Sequence, residues 1–136
     1  MSDSQSRNAD DSPWDDLVVA ILSVNQYSLS KTYGVLQGLR EQKVTDPSSL
    51  QRWESHEIER RLKAAGCDRG SFMTALFARR LEALGELVRR TGIDQCENVI
   101  GSQDTKAIEK LLLPVKGIGP VVLRNFYSLR QIHSSK

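Results

Sequence analysis

Leu111–Leu123, LLLPVKGIGPVVL, reads as the end of one helix, a tight Gly-x-Gly hairpin and the start of a second helix. Pro114 stops the first helix, because its ring removes a backbone N–H and disfavours helical geometry in the residue before it. Gly117 and Gly119 permit positive φ and let a ligand approach without a Cβ in the way. Pro120 stands at the first position of the next helix, where a missing N–H costs nothing. Free backbone N–H groups are thereby gathered at a helix N-terminus, which makes an anion site. The expected anion is a DNA phosphate.

Helical periodicity extends outward from this stretch. Trp14, Leu17, Val18, Ile21, Leu22 and Asn25 predict a helix with one apolar face, capped by Ser12 and opened by Pro13. Asp15 and Asp16 favour its positive end. A second helix is expected over Leu29–Gln42 with Tyr33, Leu36 and Leu39 inward. Its Gly34 and Gly38 either admit a close neighbour or sit on the surface at a small cost. Asp46-Pro47 opens a short helix through Trp53, and Ser55 caps the next, which ends at Gly66. The longest helix is expected over Gly70–Thr91, carrying Met73, Leu76, Phe77, Leu81, Leu84, Leu87 and Val88, with Gly92 as its stop. Residues 93–103 read as a turn or a short helix. Asp104 caps a helix with Ile108, Leu111 and Leu112 inward, and a last helix runs from Pro120 to Gln131, burying some of Val121, Val122, Leu123, Phe126 and Tyr127. No strand alternation of useful length and no repeat occurs, so the predicted fold is all-α.

The 136 residues suit one domain, expected over 13–136, preceded by a disordered polar tail over 1–12. The net charge of +2 is uninformative, but its distribution is not. Residues 1–16 hold Asp3, Asp10, Asp11, Asp15 and Asp16 against Arg7, which leaves 18 basic and 12 acidic side chains for the rest. From Lys110 onward there are Lys110, Lys116, Arg124, Arg130 and Lys136 and no acid, the charge expected of a nucleic-acid surface. Arg60-Arg61, Arg79-Arg80 and Arg89-Arg90 are expected on solvated helix faces, with Glu57, Glu82 and Glu86 as neighbours one turn away. Cys67 and Cys96 are too few for a disulfide framework or an iron–sulfur cluster and read as free thiols. No apolar run approaches membrane-spanning length. The expected location is cytoplasmic, on the nucleoid when DNA is bound. His56 and His133 lie far apart with no thiol or carboxylate at ligand spacing, so neither a metal nor a cofactor is expected.

ILSVNQ (Ile21–Gln26), TDPSSL (Thr45–Leu50), the Ala65-Gly66 turn and PVKGIGP (Pro114–Pro120) follow one another in an order that resembles the helix-hairpin-helix DNA glycosylases related to endonuclease III. The resemblance covers Pro13–Gln131. It implies a helical barrel whose hairpin amides, here around Gly117, Ile118 and Gly119, grip one phosphate near a damaged nucleotide. Lys116 stands where those proteins often have proline and would add a charged phosphate contact, and Val121 and Arg124 are expected among the DNA-binding residues as well. The resemblance also implies a polar residue, Asn25 or Gln26, in the gap left by a flipped base.

Two departures bear on chemistry. Bifunctional members carry a lysine two residues after the second hairpin glycine, and here that residue is Val121, which cannot form a Schiff base. Their essential aspartate lies on a segment after the second hairpin helix, and no Asp or Glu follows Glu109 here. The expected function is therefore recognition of damaged or distorted duplex DNA without a catalytic centre of its own, with a separate chain as a candidate source of the missing segment. Two alternatives stand beside it. One is an active DNA glycosylase or abasic-site lyase using a non-standard residue, with Lys116 as the candidate amine. The other is a protein–protein adaptor whose hairpin contacts a carboxylate.

Overall fold

A computed structural model describes residues 13–23, 31–32 and 34–134, with side chains to residue 130. The described residues form eight bounded α-helices and no strand: α1 Pro13–Leu22, α2 Leu36–Glu41, α3 Pro47–Leu50, α4 Ser55–Ala64, α5 Ser71–Thr91, α6 Ile93–Ile100, α7 Thr105–Leu112 and α8 Pro120–Ser134. The protein is all-α, as expected. None of these helices is long and apolar enough to cross a membrane.

The scaffold is α5, whose 21 residues span roughly 30 Å at 1.5 Å per residue. Phe77, Leu81, Leu84 and Val88 recur at helical spacing and are fully buried. The helices α4, α1, α3 and α6 pack on α5, α4 most extensively, while α8 packs on α1. Two glycines allow close crossings. A Cβ on Gly85 would strike the Leu50 carbonyl of α3, and one on Gly38 would strike the Ala65 carbonyl at the end of α4. Of the two readings open for Gly38, close approach is the one realised; Gly34 is exposed in a turn.

The first helix differs most from expectation. Every residue of α1 from Trp14 to Leu22 is buried, including Val19, Ala20, Asp15 and Asp16 outside the predicted apolar face. The two carboxylates do more than favour a helix end. Arg40 of α2 reaches Asp15 Oδ2 through Nε at 3.0 Å and Nη2 at 2.8 Å, and Arg130 Nη1 of α8 reaches Asp16 Oδ2 at 2.9 Å. Buried charges need such partners, because desolvation otherwise outweighs what packing supplies. The pairing takes Arg130 out of the basic surface to which its sequence position assigned it.

Several boundaries shift for local reasons. Val35 N–H bonds the Thr32 carbonyl in a turn, and α2 starts at Leu36; the expected start at Leu29 and the inward Tyr33 lie outside the described residues. Arg52 N–H bonds the Ser49 carbonyl, and α3 ends at Leu50 rather than Trp53. Glu54, not Ser55, is the residue before α4, and Ser55 N–H donates instead to Glu82 Oε2 at 3.2 Å. Residues 93–100 form α6. Asp104 caps α7 as expected, its Oδ1 accepting from Ala107 N–H at 3.2 Å.

Candidate nucleic-acid interface

The hairpin has the predicted form: α7 ends at Leu112, residues 113–117 turn, and α8 starts at Pro120. Gly117 has φ +93°, in the left-handed region that disfavours a side chain. Ile118 is buried and pins the loop to the core, while Lys116 is exposed and Gly117 and Gly119 are half-buried. One expectation changes here. The Ile118 N–H donates to the Val115 carbonyl at 3.1 Å inside the turn and is not available to a ligand. The N–H groups of Gly117, Gly119, Val121 and Val122 have no acceptor among the described residues, because Pro120 leads α8 and its first satisfied donor is Leu123 N–H, on Gly119.

Around these amides the cations are unpaired. Lys116, Arg79, Arg80 and Arg124 make no ion pair among the described residues, and the Arg80 guanidinium lies 5.8 Å from the centroid of the Phe77 ring. The expected neighbours of Arg79-Arg80 are otherwise occupied or absent: Glu82 accepts from Ser55, and Glu86 holds neither arginine. Arg60 and Arg61 behave as expected, both bonding Glu57 Oε2, and those two guanidiniums hold the Glu57 carboxyl below the usual carboxylate range.

Arg79 and Arg80 of α5 meet Lys116 and Gly117 of the hairpin across a cleft of about 360 Å³ floored by Leu76, with no carboxylate in its lining. A Cβ on Gly117 would come within 2.5 Å of Arg80 Cγ, so the missing side chain is what lets the arginine lie against the loop. A second hollow of about 400 Å³ opens beside α7 and α8, but it contains Glu109, whose carboxylate accepts the Tyr127 hydroxyl at 3.3 Å. An anion is favoured in the first and opposed in the second.

Comparison with known proteins gives no match, whether to a family model, a curated protein or a solved structure.

Of the predicted site residues, Lys116 and Gly117 line the cleft, Gly119 and Val121 follow in the hairpin and the first turn of α8, where Val121 is 48% exposed, and Arg124 lines the other hollow with Glu109. Asn25 and Gln26 lie outside the described residues. Ser23, the last described residue before them, is tied to this end of the molecule: its carbonyl accepts from Asn125 Nδ2 at 3.2 Å, one residue after Arg124. Leu76, Arg79 and Arg80 are the contributors that sequence reasoning missed. Their signal was an arginine pair four and three residues after a leucine, read locally as a solvated face. Neither thiol suggests a nucleophile, since Cys67 and Cys96 are buried and burial pushes both upward in pKa. Among the described residues no cluster of His, Cys, Asp and Glu could hold a metal.

Proposed function

We propose that this chain is a DNA-binding protein related to the endonuclease III-like glycosylases, a helical barrel that grips a backbone phosphate of damaged or distorted duplex at Gly117–Val122 and has no catalytic centre of its own. The observation that carries this reading is the convergence of acceptor-free amides from the hairpin with Arg79, Arg80 and Lys116 around a cleft that no carboxylate lines; a fourth cation, Arg124, is exposed on α8 and makes no ion pair among the described residues, though it lines the other hollow with Glu109. A phosphodiester supplies what such a place lacks: oxygens for the N–H groups and charge for the side chains. Lyase chemistry has no support at the position two residues past Gly119, because the exposed isopropyl group of Val121 can neither attack a sugar carbon nor carry an imine.

Fluorescence anisotropy of a labelled blunt duplex, titrated across a range of salt, tests the reading. Each phosphate neutralised contributes a log–log slope of about −0.9, so contacts from these four cations correspond to a slope of roughly −3 to −4. Lys116→Gln with Arg124→Gln should flatten it by about two, since both side chains are exposed and the fold does not depend on them. Gly117→Val with Gly119→Val should abolish binding while helical content by circular dichroism is retained. An unchanged slope in the Lys116/Arg124 variant would remove the hairpin as the phosphate site.

A further inference from the structure

The most exposed large apolar side chain among the described residues is Phe72, 74% accessible at the start of α5. It shares a face with the cleft. At 100° per residue, Phe72, Leu76, Arg79 and Arg80 fall within about 100° of one another around the helix axis. Their neighbours Phe77 and Ala78 turn to the core and are fully buried. This half of α5 therefore presents an aromatic ring, a half-buried leucine and two guanidiniums in a row that ends against Lys116 and Gly117.

We propose that this stripe seats a short single strand of DNA running outward from the hairpin, so that the preferred ligand is duplex adjoining an unpaired segment. The proposal rests on the hairpin reading and names its substrate class. A blunt duplex hides its base faces in the stack and offers a lone phenyl ring nothing but phosphate and sugar. An unpaired strand offers both bases to stack and phosphates to pair, which is the combination of aromatic and cation that single-strand sites use. The span fits as well. Eight residues separate Phe72 from Arg80, about 12 Å of helix, which matches three to four stacked nucleotides at roughly 3.4 Å each. Charge argues against an apolar protein segment as the occupant: the cleft at the end of the stripe holds Arg79, Arg80 and Lys116 with no carboxylate. Glu86, the first acid farther along this face, marks where a strand would be turned away.

The test compares a blunt duplex, the same duplex with a short oligothymidine overhang, and the overhang strand alone, by anisotropy at one salt concentration. The overhang should tighten binding about tenfold, the scale of one base stacked on an aromatic ring. Phe72→Ala should erase that gain and leave blunt-duplex affinity within twofold, and Phe72→Trp should keep it; so exposed a position tolerates either change without loss of fold. An overhang that adds nothing, or a gain that survives Phe72→Ala, would overturn the single-strand seat while the duplex reading stands. Binding of the strand alone, lost in Phe72→Ala, with no affinity for blunt duplex, would support the seat and overturn the hairpin reading.

Discussion

Two groups of arginines in this protein differ in what was placed opposite them. Arg40 and Arg130 reach inward to Asp15 and Asp16 on a helix that is buried on all sides, and each closes an ion pair. Arg79 and Arg80 stand against a glycine hairpin in a cleft that no carboxylate lines. Net charge conceals this contrast, because two of the acids are paired in the interior and others on the α4 surface. Whether a cation has a fixed partner is a tertiary property.

The sharpest way to break the comparison is at Arg130. Asp16 is wholly inaccessible, so Arg130→Met would take a bonded cation away from a buried carboxylate. Breaking a buried pair in this way costs about 3 kcal/mol; the low end of the range applies because Arg130 is itself 29% exposed. Urea unfolding followed by circular dichroism reads the loss directly. A cost below 1 kcal/mol would mean that the pair is no anchor for α8 on α1.

At the hairpin the opposite is expected. Arg79→Gln with Arg80→Gln removes two charges that no ion pair holds, and Gln keeps part of the stem that lies against Gly117. Stability should change by less than about 1 kcal/mol, the ordinary range for surface positions plus a weak contact with the Phe77 ring. The same variant should bind duplex more weakly, with a shallower salt slope. Equal destabilisation by this pair and by Arg130→Met would erase the distinction between the two groups.

The contrast also explains what could be read from sequence. The hairpin was legible because proline and glycine act locally: Pro114, Gly117 and Pro120 need no distant partner to stop, turn and restart a helix. Asp104 is legible for the same reason, since its cap bond spans three residues. The burial of α1 was not legible. Its two aspartates look like surface residues until Arg40 and Arg130 arrive, 25 and 114 residues away. Arg79 is exposed and Arg80 half-buried, as the local pattern predicts, but their expected glutamate partner is missing for a tertiary reason, because Glu82 is drawn to the amide of Ser55. Ile118 illustrates a finer limit: a loop amide is free only if the loop itself does not use it, and Val115 does.

The smallest effect concerns the contact that ties the two hairpin helices together. The Tyr127 hydroxyl of α8 donates to Glu109 of α7, and burial, the nearby carboxylate charge and this hydrogen bond together push the phenol up to about 12 from its ordinary 10.0. The raised value means that the folded protein holds this proton more tightly than the unfolded chain. Below pH 10 both states are neutral and the contribution is complete; it is lost as pH rises from 10 through about 12. Stability in urea at rising alkaline pH should therefore fall more steeply for the wild type than for Tyr127→Phe, while the two stay parallel at neutral pH. Tyrosinate absorbance, taken as the difference between the same two proteins, should titrate near 12. A midpoint near the ordinary value would mean that α7 and α8 are not closed on each other beside Arg124, and the hairpin would then lack the rigidity that a preformed row of amides requires.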